Sequence, residues 1–173
     1  MRGPILEREH ELAQLADATR EAAGGAGSIV LVHGEAGIGK SSLVQAVRGL
    51  LPAEGRFLVG YCDDLTTPRT LGPLRDLVGS VGTELTHALR DGGEREDVLV
   101  ALRRELDWAG HPTVLVVEDV HWSDEATLDV LRYLVRRIAD LPAVLLFQVY
   151  LLVLLRECFG FKRRGYCRSR SCR

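Results

Sequence analysis

Ser28-Ile29-Val30-Leu31-Val32-His33-Gly34-Glu35-Ala36-Gly37-Ile38-Gly39-Lys40-Ser41-Ser42 is the stretch from which the rest of the chain can be read. Its first six residues are mostly apolar and rich in β-branched side chains, the composition of a strand buried on both faces. Gly34 to Ser41 then fits the pattern G-x-x-x-x-G-K-[ST]. The glycines let the backbone turn so that successive N–H groups face inward, where phosphate oxygens can meet them. Lys40 sets a positive charge against the β- and γ-phosphates, and the Ser41 hydroxyl is a ligand for Mg²⁺. A helix predicted over Ser41–Leu51, ended by Pro52, adds the positive end of its dipole. The candidate nucleotide-binding residues are therefore Gly34, Glu35, Ala36, Gly37, Ile38, Gly39, Lys40, Ser41 and Ser42. A chance match of this pattern arises in about 1% of chains of this length. Here the match lies between a strand and a helix, the context that gives it meaning.

Downstream, Thr113–Val117 (TVLVV) reads as another buried strand, with Pro112 at its start and Glu118-Asp119 at its end. Apolar strands often end in acids, so the segment says little alone. Following a P-loop in a chain of alternating strands and helices, it reads as a Walker B segment. One acid then holds Mg²⁺ through water and the other polarises the attacking water. Glu118 and Asp119 are both candidates for catalysis and, with Ser41, for the metal; the sequence leaves their roles open. The expected ligand is ATP with Mg²⁺. Guanine-specific P-loop proteins read the base with an Asn/Thr-Lys-x-Asp segment, and Lys40 is the only lysine in residues 1–150.

The pattern around these motifs predicts an α/β fold with a parallel sheet. Helices are expected over about 8–22, 74–81, 94–108 and 124–138, the last capped by Ser123. Strands are expected at Arg56–Tyr61 and Ala143–Val149, and Asp63–Pro73 reads as a loop. Ala143–Leu155 is apolar apart from Gln148 and Tyr150, but too short to cross a bilayer as a helix, so no membrane role is expected.

Charge divides the chain. Residues 1–150 hold 15 basic and 23 acidic side chains, a net of −8, whereas 151–173 hold seven and one, a net of +6. An acidic body with a short basic tail is unlike a nucleic-acid-binding domain, whose positive charge lies on a folded face. Cys62 lies in the body, and Cys158, Cys167 and Cys172 lie in the tail with neither C-x-x-C spacing nor a nearby histidine. A zinc site or a disulfide framework is therefore not expected. Met1–Glu11 lacks the basic-then-apolar pattern of a signal peptide, so a cytoplasmic setting is expected.

Three stretches together, GEAGIGKSSLV (34–44), YCDDLTTPRTLGPLRDLV (61–78) and VLVVEDVHWSDEATLDVLRYLVRR (114–137), resemble the N-terminal ATPase module of large LuxR-type transcriptional regulators and related AAA/STAND signalling ATPases. The resemblance covers about residues 3–150. His121, Trp122 and Asp124 after the Walker B strand are specific to the group. ILEREHELAQL (5–15) is similar to its Gly-Arg-Glu opening near the adenine, with Glu7 in place of Gly and Arg8 and Glu9 matching. The resemblance implies a three-layer P-loop NTPase sandwich with an additional strand between the Walker A and Walker B strands. It also implies an ATP-dependent switch whose nucleotide state controls oligomerisation, so self-association is a candidate property, together with an output domain not seen in these residues.

After Tyr150 the group continues with an arginine and acidic residues that sense the γ-phosphate, where this chain has Leu151. The expectation is a partial ATPase module over 1–150 and a tail over 151–173, apolar then basic, that is not an independent domain. The tail reads either as out-of-frame or foreign sequence or as a divergent basic extension. A module so truncated is expected to leave the P-loop strand at an exposed sheet edge, to bind ATP weakly and to hydrolyse little of it. The competing expectation is a non-enzymatic remnant or interaction fragment. Of the remaining residues, Cys62 is expected to be a small buried side chain, His33 and His121 structural, and Trp122 a packing anchor. Arg132, Arg136 and Arg137 are expected on a solvated helix face.

Overall fold

A computed structural model describes residues 9–34, 37, 39–90, 94–108 and 111–150, and the backbone of 168–169. Its helices are α1 (Glu9–Ala23), α2 (Lys40–Arg48), α3 (Gly72–Arg75), α4 (Thr83–Arg90), α5 (Arg95–Leu106) and α6 (Glu125–Val135). Its strands are β1 (Ser28–His33), β2 (Arg56–Tyr61), β3 (Thr113–Glu118), β4 (Ala143–Val149) and β5 (Arg168–Ser169). The sheet order is β2-β3-β4-β1-β5, and every pairing is parallel. β4 therefore lies between the P-loop strand β1 and the Walker B strand β3, as expected for the additional-strand class.

The strands alternate their side chains between two cores. Val32, Val114, Val116, Val144 and Leu146 pack beneath α1 and α2 with Leu15, Ala18, Leu43, Val44 and Val47. Ile29, Leu31, Leu58, Leu115, Val117, Leu145 and Phe147 face the opposite layer, which Leu74, Leu102, Leu131 and Leu134 fill from α3, α5 and α6. All six residues of β3 and all seven of β4 are buried, which is why both read as unbroken apolar runs.

Several helical expectations are corrected. The predicted helix over 74–81 is a single turn, α3, followed by tighter turns bonded Leu77 N–H to Leu74 O and Val78 N–H to Arg75 O. Gly79, at φ 97°, then leaves the helical conformation. α4, not anticipated from the sequence, buries Leu85 and Leu89. The helix after β3 is capped by Asp124 rather than Ser123, and it ends at Val135 rather than 138. The expected edge position of β1 is also modified, because β5 pairs with Val30 and Leu31 there. That partner spans two residues, so it covers one third of the six-residue strand.

Candidate nucleotide-binding site

The C-terminal ends of β1, β3 and β4 converge beside the N-terminus of α2. Glu35, Ala36 and Ile38 lie outside the described residues, so the loop is placed by its glycines and by Lys40 onward. Gly37 and Gly39 hold φ of 80° and 87°, left-handed values that glycine adopts without a Cβ penalty. Gly39 is the N-cap of α2 and has no capping side chain. The first amides of α2 thus open toward the loop, an arrangement suited to an anion.

Lys40 begins α2, is only 8% exposed, and donates from Nζ to the Gly34 carbonyl at 2.8 Å. Nζ also lies 6.0 Å from the centre of the Tyr150 ring. The lysine therefore spans the loop from its C-terminal to its N-terminal end. One residue on, the Ser41 hydroxyl donates to Glu118 Oε2 at 3.4 Å. This contact joins the two motifs that the sequence placed far apart. Glu118 is buried at the end of β3. Burial raises its carboxyl pKa above the ordinary value, the neighbouring charge of Asp119 adds to the rise, and the Ser41 hydrogen bond opposes it.

Asp119 takes φ 51°, a left-handed conformation uncommon for a residue with a side chain. The chain then makes a 3-10 turn over Val120–Trp122, which Trp122 N–H closes onto the Asp119 carbonyl at 2.9 Å. The result is a cleft of about 690 Å³, within the range that accommodates a small-molecule ligand. Gly37, Gly39, Lys40, Ser41 and Ser42 form one wall. Asp119, His121, Trp122, Gln148 and Tyr150 form the other.

Two residues here carry more than the sequence reading gave them. Trp122, expected to be a packing anchor, is 42% exposed and lines the cleft. Gln148 is 4% exposed and lines the cleft from β4, with no hydrogen-bond partner for Oε1. A buried amide oxygen without a partner is costly, so its presence in the cleft suits a ligand or water that would satisfy it. Its signal in the sequence was a polar residue inside an otherwise apolar strand. His121 Nδ1 is likewise buried without a partner, and its ring lies 5.1 Å from that of Trp122.

Mg²⁺ favours oxygen ligands and keeps several waters, binding through one or two carboxylates and substrate phosphates. The Ser41 hydroxyl and Glu118 carboxylate fit that chemistry. Among the described residues no group of three His, Cys, Asp or Glu side chains is placed to hold a metal unaided.

Other side chains are placed away from this chemistry. Cys62 is buried, its Sγ lies 3.0 Å from Ser123 Oγ, and burial pushes its thiol pKa up to about 11. A protonated thiol of that kind is a poor nucleophile. His33 Nε2 is buried without a partner, and burial lowers its pKa. Arg132 on α6 pairs with Glu125 and Asp129, whereas Arg136 and Arg137, expected on the same helix face, lie exposed beyond its end at Val135, Arg137 over the Tyr133 ring at 3.9 Å.

Residues 4–147 match the AAA ATPase domain family. The chain belongs to that family. Nucleotide binding of the ATPase type is accordingly its general function. The AAA ATPase domain is 30% identical over 188 residues to an uncharacterized protein of Rhizobium meliloti (strain 1021), a match covering 84% of this chain and 18% of that protein. The chain thus spans less than a fifth of its curated relative. Among solved structures it resembles the Aeropyrum pernix ORC1 protein in complex with DNA, at 20% identity and TM-score 0.61, over 91% of this chain and 42% of that one. It also resembles Drosophila ORC bound to DNA, at 25% identity and TM-score 0.55, over 90% and 40% of the two chains. These likenesses establish the fold. No helix among the described residues is long and apolar enough to cross a membrane.

Proposed function

We propose that the chain binds Mg-ATP in the cleft between α2 and the ends of β3 and β4, as the nucleotide switch module of a signal-responsive transcriptional regulator or related signalling ATPase. The contact between Ser41 and Glu118 carries the reading, because it brings the Walker A hydroxyl and a Walker B carboxylate to one point. The loop from Gly34 to Gly39, with Glu35, Ala36 and Ile38, wraps the phosphates with its amides, and Ser42 adds an amide from the first turn of α2. Lys40 leaves the Gly34 carbonyl for the β- and γ-phosphate oxygens. Ser41 and Glu118, with Asp119 beside them, would hold Mg²⁺, which would supply positive charge against the phosphates. Asp119, offset from Glu118 by its left-handed turn, orients water at the γ-phosphate, and Gln148 offers its amide to the same water. Residues 1–150 form this module, the tail 151–173 is not an independent domain, and the setting is the cytoplasm. The module acts on nucleotide and on further copies of itself, not directly on nucleic acid or membrane.

Binding is separable from turnover. Leu151 stands where the resembling group carries its γ-phosphate-sensing arginine, so hydrolysis is expected to be slight. Wild-type protein should unfold at higher temperature in millimolar Mg-ATP. At a hundredfold excess over Kd the stabilisation is about 2.7 kcal/mol. Lys40→Ala should lose most of that shift. No shift for the wild type would favour a remnant without a switch. Steady-state ATPase activity abolished by Lys40→Ala would overturn the expectation of slight turnover.

A further inference from the structure

We propose that Asp124 is a positioning residue that ties the nucleotide cleft to the exposed loop 63–71, making this loop the surface whose conformation follows the bound nucleotide. The inference rests on the ATP-binding reading and goes beyond it.

Among the described residues only two non-glycine positions hold a left-handed backbone, Leu71 at φ 55° and Asp119 at φ 51°. Such strain persists only where the surroundings enforce it, and it clusters at switch regions. Asp119 starts the turn that walls the cleft, and Leu71 ends the exposed loop. Asp124 connects them. Its Oδ2 accepts the Leu71 N–H at 3.1 Å, while its Oδ1 accepts the Thr127 N–H at 3.1 Å and so caps α6. The Thr127 hydroxyl also donates to Oδ2. A helix cap requires one carboxylate oxygen. Here the second oxygen reaches across to another segment.

Two further bonds run along the same route. Cys62, which starts the loop, donates its N–H to the Glu118 carbonyl at 3.1 Å and meets the Ser123 hydroxyl through Sγ. Both ends of the loop are therefore fastened to the segment that follows the Walker B strand. Between them residues 63–70 are exposed, and Arg69 pairs there with Asp63 and Asp76. A segment with few buried contacts opens at low cost and can respond to its anchors.

Trp122 supplies the mechanical element. It lines the nucleotide cleft and also a second, smaller cavity, shared with Tyr61, Pro68, Arg69 and Asp124. Trp122 thus borders both spaces. A γ-phosphate settling beside Asp119 presses on the turn that ends at Trp122. Asp124, two residues beyond Trp122, passes the displacement to Leu71.

Hydrogen–deuterium exchange of the full chain, with and without Mg-ATP, tests this alongside calorimetry on the same samples. Mg-ATP should change exchange in loop 63–71 of the wild type by at least about threefold. Asp124→Asn keeps an amide oxygen for the α6 cap but presents an NH₂ group to the Leu71 N–H. It should bind ATP within about threefold of wild type and lose the loop response. Thr127→Val weakens the same cap but spares the Leu71 bond, so it should keep the response. ATP binding without a change in loop exchange overturns the coupling. So does Asp124→Asn responding as the wild type does, or Thr127→Val failing to. Absence of ATP binding by calorimetry overturns the nucleotide reading first and the coupling with it, an outcome distinct from the others.

Discussion

Glu118 shows how one side chain serves opposed requirements. Its place at the end of β3 brings it to Ser41, but burial and the Asp119 charge raise its pKa. The folded protein therefore holds this proton more tightly than the unfolded chain. The ionised carboxylate costs stability in full above the raised pKa, and the cost fades as pH falls toward the ordinary carboxylate range. Glu118→Gln, which retains an oxygen to accept from Ser41, should melt higher than wild type near neutral pH without ligand. The gain should shrink as the medium is acidified, and melting curves across pH check this. Equal melting temperatures at neutral pH would remove the electrostatic account. At this scale the sequence was informative where spacing encodes chemistry: Lys40, Ser41, Glu118 and Asp119 belong to motifs. Gln148 belongs to none, and Trp122 lies in a segment marked by resemblance but was expected only to pack. Their place in the cleft depends on which way a strand end and a short turn face, and periodicity does not report that.

Strands β1 to β4 were legible almost to the residue; β3 and β4, buried on both faces, require apolar runs bounded by breakers. Helices were less so. α4 has eight residues with two buried leucines, too few for a clear amphipathic period. Ser123 was the expected cap of α6, but Asp124 takes that position and also accepts the Leu71 N–H, a tertiary bond that local sequence does not reveal. Tertiary contact set the end of β2. A Cβ at Gly60 would fall 2.0 Å from the Pro73 carbonyl oxygen, so β2 and α3 approach through that missing side chain. Gly60→Ala should force them apart and destabilise the fold by about 1–3 kcal/mol, as overpacking does. Urea denaturation measures this, and a midpoint unchanged from wild type would show that α3 is free to shift.

At the scale of the molecule, two cores share one sheet, and Phe147 of β4 anchors the larger of them. Phe147→Ala should cost about 3–5 kcal/mol, read from the denaturation midpoint. A loss under 1 kcal/mol would indicate that the cavity collapses, against the close packing described. The layered architecture was readable from the alternation of strands and helices. The partner of the β1 edge was not, because Arg168–Ser169 carries no apolar run to mark it as a strand. The strand order also carries a consequence for how the protein is made. β1 leaves the ribosome first, yet its long sheet partner is β4, matched from Ser28↔Val144 to His33↔Val149. Nearly the whole domain must be synthesised before that pairing can form, and contacts so distant in sequence form late. The phosphate loop hangs from β1, so a nascent chain should gain affinity for ATP only once β4 has emerged. Nucleotide capture would then mark the completion of folding.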